Sequence, residues 1–170
     1  HNGTVTGKGL GFGGSLIRKE ATGYGLVYFV CEMLKNIGLE NAKPRVVVSG
    51  SGNVAIYACE KAQQMGWQVI AMSDSKGYIV DEHLDLDVVK HIKEVERGSL
   101  ALYPEYAGHG EYHEGSVYNA SLAYDVALPC ATQNEINGER AENMYNCGCR
   151  LVAEGANMPS NKDAVAYYLN

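Results

Sequence analysis

The stretch VVVSGSGNVA, Val46 to Ala55, constrains the fold more than any other part of the chain. Three consecutive valines read as a short strand buried on both faces, the pattern of a parallel sheet. The G-x-G-x-x-A from Gly50 predicts a tight turn, and VAIYACEKAQQMG after it predicts a helix closed by Gly66. Gly50 would make the turn, Gly52 would let the backbone approach a pyrophosphate, and Ala55 would let helix and strand pack closely. Phosphates would then sit on the helix start around Val54, where unpaired N–H groups and the helix dipole favour negative charge. The motif alone leaves two readings: a dinucleotide cradle, or a glycine-bearing βα loop for another nucleotide-like ligand or none.

Upstream, HNGTVTGKGLGFGGSL holds six glycines in its first fourteen residues and reads as a long, hinge-like loop. Residues 1–20 are accordingly set apart as a glycine-rich segment, and residues 21–170 as a dinucleotide-binding domain. Leu26, Phe29, Val30, Met33, Leu34 and Ile37 recur at helical spacing before Gly38, which predicts a helix of about 17 residues. Beyond the turn, WQVIAMSDS predicts a second strand, and KGYIVDEHLDLDVVKHIKEVERGSL a hairpin leading to an amphipathic helix through Leu86, Val89, Ile92 and Val95. YPEYAGHGEYHEG reads as irregular. YDVALPCA and CRLVAEGA predict further strands, NEINGERAENMYNCG a helix, and NKDAVAYYL a final helix. This alternation predicts an α/β fold, a doubly wound Rossmann-like parallel sheet with helices on both faces.

Composition narrows the function. The net charge of −6 offers no basic footprint for nucleic acid, and no apolar run approaches the roughly 20 residues of a membrane span. Five cysteines, an odd number without paired spacing, fit a reducing cytoplasm, and the Cys147-x-Cys149 pair lacks a second pair at metal-ligand spacing. Glycine at 20 of 170 residues exceeds the usual share of about 7% and suits loops that hug a ligand.

An acid about 20 residues past the glycines would bind the adenosine ribose hydroxyls, and Asp74 stands 22 residues after Gly52. That spacing suggests NAD. Ser73, Ser75 and Lys76 flank it, however, and hydroxyls with a cation suit a 2′-phosphate, which a bare carboxylate repels. The residues leave the choice open, and SDSKG would also serve as a plain turn.

TGKGLGFGGSLIRKEATGYG, VVVSGSGNVA, SDSKGYIVDE, ALPCATQNE and AEGANMP, in this order over residues 4–159, resemble the cofactor-binding domain of the hexameric glutamate dehydrogenases, most closely the NADP-dependent branch. That family interconverts glutamate and 2-oxoglutarate plus ammonia by hydride transfer to a nicotinamide cofactor. The resemblance implies that Thr22 bonds the nicotinamide carboxamide, that Asn53 lies beside the cofactor, and that the backbone of Gly50, Ser51, Gly52 and Val54 holds the pyrophosphate. It places Ser73, Asp74 and Ser75 around the adenosine ribose and Lys93 on the 2′-phosphate. Ala131, Thr132, Gln133 and Asn134, with Asn157, would lie on the nicotinamide side, and Thr6 and Arg18 would face the substrate cleft. Fixed hydrogen bonds to the carboxamide are what would select the ring face that takes hydride. Lys93 taken without the resemblance reads as a solvent-facing helix lysine.

The family's catalytic lysine and aspartate belong to a substrate domain to which nothing here corresponds, so the chain reads as a cofactor domain of a homohexameric enzyme, binding NADP, or NAD, without turning over. One glycine of the GFG in GKGLGFGG stands where a serine is common, and Lys19 where a proline is usual. An alternative is a standalone NAD(P)-sensing module that regulates a partner. A methyltransferase would share the strand, turn, helix and acid, but leaves CATQN and GANMP without a task.

Overall fold

The computed structural model describes the backbone of residues 12–20, 23–131, 135–155 and 163–170, and side chains over the same ranges except 12–20 and Asp163. Among the described residues eight strands form one sheet: β1 (Phe12–Glu20), β2 (Arg45–Ser49), β3 (Gln68–Ser73), β4 (Gly77–Val80), β5 (Glu111–Glu114), β6 (Val126–Pro129), β7 (Leu151–Glu154) and β8 (Asp163–Leu169). Their order is β1-β8-β7-β6-β2-β3-β4-β5. The centre, β7-β6-β2-β3, is parallel, and each edge is antiparallel. The expected doubly wound α/β architecture is present, with a mixed sheet in place of an all-parallel one.

Alternation along the central strands feeds two cores. Val46 and Val48, Val126 and Leu128, and Leu151 and Ala153 face α1 (Gly23–Asn36) and α2 (Asn53–Gln64). Val47, Ala127 and Val152 face α5 (Gly138–Asn146) and the 3-10 turn Val117–Asn119 through Met144 and Tyr118. In β3 a register shift leaves Ile70 between Val69, opposite Val46, and Ala71, opposite Val47. The extra residue is why Ile70 and Ala71 both join the second core, as a β-bulge allows.

Three expectations are corrected. The NKDAVAYYL segment carries a strand, β8, not a helix: Ala164, Ala166 and Tyr168 pack toward the first core, while Tyr167 and Leu169 enter the second. Alanine supplies helix propensity here, but β7 and β1 offer partners on both sides and the period-two pattern wins. The loop expected over the first sixteen residues is a strand from Phe12 onward, its glycine-rich start accommodated by a register shift between Gly13 and Ile17. The irregular YPEYAGHGEYHEG contains α4 (Tyr103–Ala107) and β5, an edge strand whose exposed Glu111, His113 and Glu114 discourage pairing with another chain.

The amphipathic helix forms only in part. After α3 (Leu86–Lys90) the chain widens into a π-helical turn, His91–Glu96, closed by Arg97 in the left-handed region at φ 53°. Leu86, Val89 and Ile92 stay buried, whereas the wider turn rotates Val95 off the apolar stripe to 69% exposure. Among the described residues no helix is long and apolar enough to cross a membrane. Of the Cys-x-Cys pair, Cys149 is buried in the second core and Cys147 donates to the Ala120 carbonyl at 3.4 Å.

Candidate cofactor-binding site

The connection after β2 runs through α2 on one face of the sheet, and the connection after its neighbour β6 runs through α5 on the other. A crevice at the carboxyl ends of β2 and β6 follows, the usual ligand position in such sheets. Gly50 caps β2 at φ +100°, its N–H donating to the buried Ser73 Oγ at 2.9 Å, while Cys130 N–H bonds the Ser49 carbonyl at 2.9 Å. These bonds tie the ends of β2, β3 and β6 together.

Gly52 is the N-cap of α2 and supplies no side-chain cap, so the first-turn N–H groups keep their donor capacity for a ligand. A Cβ at Gly52 would meet nothing within 4 Å, which leaves the approach to that helix end open. The crevice measures about 480 Å³ and is lined by Gly50, Ser51, Gly52 and Val54, by Ser73, Asp74, Ser75 and Lys76, and by Ala131, Glu135 and Arg140. Volume, glycine turn and uncapped helix fit a dinucleotide.

A second recess of about 430 Å³ shares Ser51, Asp74, Ser75 and Lys76 with the crevice and adds Lys93, Arg97, Gly98 and Ser99. Three cations meet there, Lys76 from the loop after β3 and Lys93 and Arg97 from the π-helical turn and its cap. Lys93 Nζ donates to the Gly98 carbonyl at 2.9 Å, which holds it over the recess.

Asp74 is spent on the backbone. Its Oδ1 accepts from the N–H groups of Lys76 and Gly77 at 2.9 and 3.0 Å, and its Oδ2 from Leu100 N–H at 2.9 Å and Ser99 Oγ at 3.4 Å. The carboxylate therefore pins the loop after β3 to the turn after the π-helical segment. Burial pushes the carboxyl up, but the N–H donors of Leu100, Lys76 and Gly77, with the Lys93 charge, outweigh it and hold Asp74 below its ordinary value. Asp81 behaves alike: burial raises it, while Tyr103 Oη at 2.6 Å, His83 N–H at 2.9 Å and His109 Nδ1 at 2.5 Å bring it below its ordinary value.

A carboxyl depressed in the folded state stabilises above its unfolded pKa and loses that contribution as pH falls through the folded one. The melting temperature is therefore expected to fall as pH drops below about 4. Asp74→Asn and Asp81→Asn should each flatten that acid limb in thermal melts. An unchanged limb would mean these bonds add nothing to folding.

Of the residues expected at the site, the structure brings Gly50, Ser51, Gly52, Val54, Ser73, Asp74, Ser75 and Ala131 to one crevice, and Lys93 to its annex. Asn53 opens α2 and is exposed. Arg18 lies in β1 opposite Val165 in β8. Thr6, Thr22, Thr132, Gln133, Asn134 and Asn157 lie outside the described residues. Sequence reasoning passed over Arg97, Ser99, Arg140 and Glu135. Glu135 had a signal, since it directly follows CATQN; Arg97 had none, because only the left-handed turn after the π-helical segment sets it at the recess.

A family model described as Glutamate/Leucine/Phenylalanine/Valine dehydrogenase matches residues 13–170. The chain belongs to this family. It is 48% identical over 170 residues to a glutamate dehydrogenase of Bacteroides thetaiotaomicron, covering 98% of this chain and 38% of that protein. It is 50% identical over 167 residues to the NADP-specific glutamate dehydrogenase of Escherichia coli, covering 96% of this chain and 37% of that one. Among solved structures, Plasmodium falciparum glutamate dehydrogenase superposes at a TM-score of 0.74 with 39% identity, over 84% of this chain and 31% of that chain. The chain thus spans under two fifths of the length of these dehydrogenases.

Proposed function

We propose that this chain is the cofactor-binding part of an NADP-preferring glutamate dehydrogenase, which binds the dinucleotide while the rest of the enzyme holds glutamate or 2-oxoglutarate and ammonia. The observation that carries the cofactor preference is the state of Asp74. In a site for NAD the acid after the second strand accepts from the ribose hydroxyls. Here both Asp74 oxygens already accept backbone donors, while Ser75, Lys76, Lys93 and Arg97 surround the adjoining recess. A 2′-phosphate would find cations and hydroxyls there, with the one carboxylate satisfied elsewhere.

NADP(H), when bound, supplies the nicotinamide that accepts or donates hydride. The protein's own part is binding and orientation. The Gly50–Val54 turn and the α2 N-terminus would hold the pyrophosphate, and Lys93 the 2′-phosphate. Ala131, Thr132, Gln133 and Asn157, with Thr22, would fix the nicotinamide ring, and Thr6 and Arg18 would face the substrate cleft between this cofactor-binding part, residues 1–20 with the domain formed by 21–170, and the rest of the enzyme. The enzyme would act as a homohexamer in the cytoplasm.

Calorimetric titration at fixed salt tests the reading. NADPH is expected to bind more tightly than NADH, and Lys93→Ala to weaken NADPH by about tenfold or more while leaving NADH nearly unchanged, since one hydrogen bond to a charged group is worth roughly 1.5–3 kcal/mol. Equal loss for both cofactors would remove Lys93 from the 2′-phosphate, and tighter binding of NADH would reverse the preference.

A further inference from the structure

Beneath the glycine turn lies a buried polar cluster that the cofactor reading leaves without a role. Ser49, the last residue of β2, has its Oγ 2.6 Å from Glu135 Oε2 and 2.7 Å from Tyr118 Oη. A hydroxyl has one hydrogen, so with Glu135 ionised Ser49 donates to the carboxylate and Tyr118 donates to Ser49. Glu135 also accepts from the Ala131 N–H. The same carboxyl lines the crevice beside Gly50 and Ser51. A half-buried acid therefore borders the place where a dinucleotide would bring its negative phosphates.

The groups facing Glu135 do little to neutralise it. Tyr118 from the 3-10 turn and Cys130 just after β6 are buried and neutral, their own protons held more tightly because of burial and of Glu135. From β7 comes a second carboxyl, Glu154, pushed up by burial and further by Glu135 even though it accepts from Tyr167 Oη at 2.9 Å. Among the described residues only Arg140 on α5 opposes them, and its guanidinium is bonded to the Glu135 carbonyl at 2.7 Å and to Asn119 Oδ1 at 3.3 Å. Burial leaves Glu135 with its proton affinity above the ordinary carboxylate value, despite the Ser49 bond and the Arg140 charge.

We propose that Glu135 takes up a proton from solvent when the phosphates of a dinucleotide enter the crevice, so that this site binds its anionic ligand more tightly as pH falls. The inference rests on the reading above that the crevice holds a pyrophosphate. An incoming anion stabilises the neutral acid over the carboxylate, and by linkage the neutral acid favours the anion. The protonated carboxyl keeps its place, because its carbonyl oxygen still accepts from Ser49. Glu135 is thus a positioning residue that links the turn to β6 and sets the pH range over which the turn accepts charge.

Titration of the chain with NADPH in buffers of different ionisation heat, at several pH values, reads the proton directly. Wild type is expected to take up more protons than Glu135→Gln, and its affinity to rise by up to about tenfold for each unit by which pH is lowered on the alkaline side of the Glu135 titration, a slope the variant lacks. The 2′-phosphate titrates near pH 6 in both proteins and cancels in the difference. Ser49→Ala removes a bond to the charged form and should move the wild-type profile to higher pH, which tests the proposal even if Glu135→Gln folds poorly. NADPH binding with equal uptake in wild type and Glu135→Gln, or uptake lost only in Glu154→Gln, overturns this proposal and leaves the cofactor reading standing. No NADPH binding overturns both.

Discussion

Gly50→Ala is expected to cost the protein both stability and its ligand. At φ +100° an L-residue is strained by about 1–2 kcal/mol whatever the space around it. Space is also lacking: the added Cβ would stand 3.0 Å from the Cys130 carbonyl carbon and 3.1 Å from Ala131 N, both backbone atoms that cannot swing aside. Relief would have to come from parting the ends of β2 and β6, which breaks the Cys130 N–H to Ser49 and Gly50 N–H to Ser73 bonds. A melting temperature lowered by several degrees and NADPH affinity reduced by more than tenfold are the expected results, the latter corresponding to over about 1.4 kcal/mol. Undiminished NADPH binding in calorimetry would mean that the turn does not hold the phosphates.

Gly23→Ala should damage the fold by a different route. Gly23 opens α1 where it crosses α2, and a Cβ there would lie 2.7 Å from both Tyr57 Cβ and the Val54 carbonyl oxygen, and 2.9 Å from Ala58 N. Those contacts are below any ordinary carbon separation, so the helices must part along a face that carries Leu26, Val30, Ala55 and Cys59. Overpacking of this kind costs about 1–3 kcal/mol or more, and at this chain length about 2–4 °C of melting temperature per kcal/mol. Because the collision is with the first two turns of α2, from Val54 to Ala58, NADPH binding should weaken alongside stability. A melt indistinguishable from wild type would show that α1 can shift without loss. Loss of stability with intact affinity would uncouple the helix crossing from the site.

The site was legible where local rules act alone. Three valines, then Gly50, Gly52 and Ala55, announce a buried strand, a left-handed turn and a close-packed helix, and each requirement is met within ten residues of chain. Asp74 was legible as a position but not as a role. Its spacing suits a ribose, yet one oxygen is taken by Leu100, 26 residues away, through a turn that no local pattern predicts. The π-helical widening that turns Val95 outward and Arg97 toward the recess has no sequence signature either.

What the sequence by itself determined is the central layer: apolar runs for strands buried on both faces, amphipathic α1 and α2, and the phosphate-type turn between strand and helix. Only the tertiary structure decided the edges and the charges. Residues 163–169 become strand because β7 and β1 supply hydrogen-bond partners that outweigh alanine's helical preference. Glu135 becomes a partly desolvated acid because folding brings it to Ser49, 86 residues earlier in the chain. Propensity and periodicity act within a few residues, whereas desolvation and pairing depend on which distant segments meet.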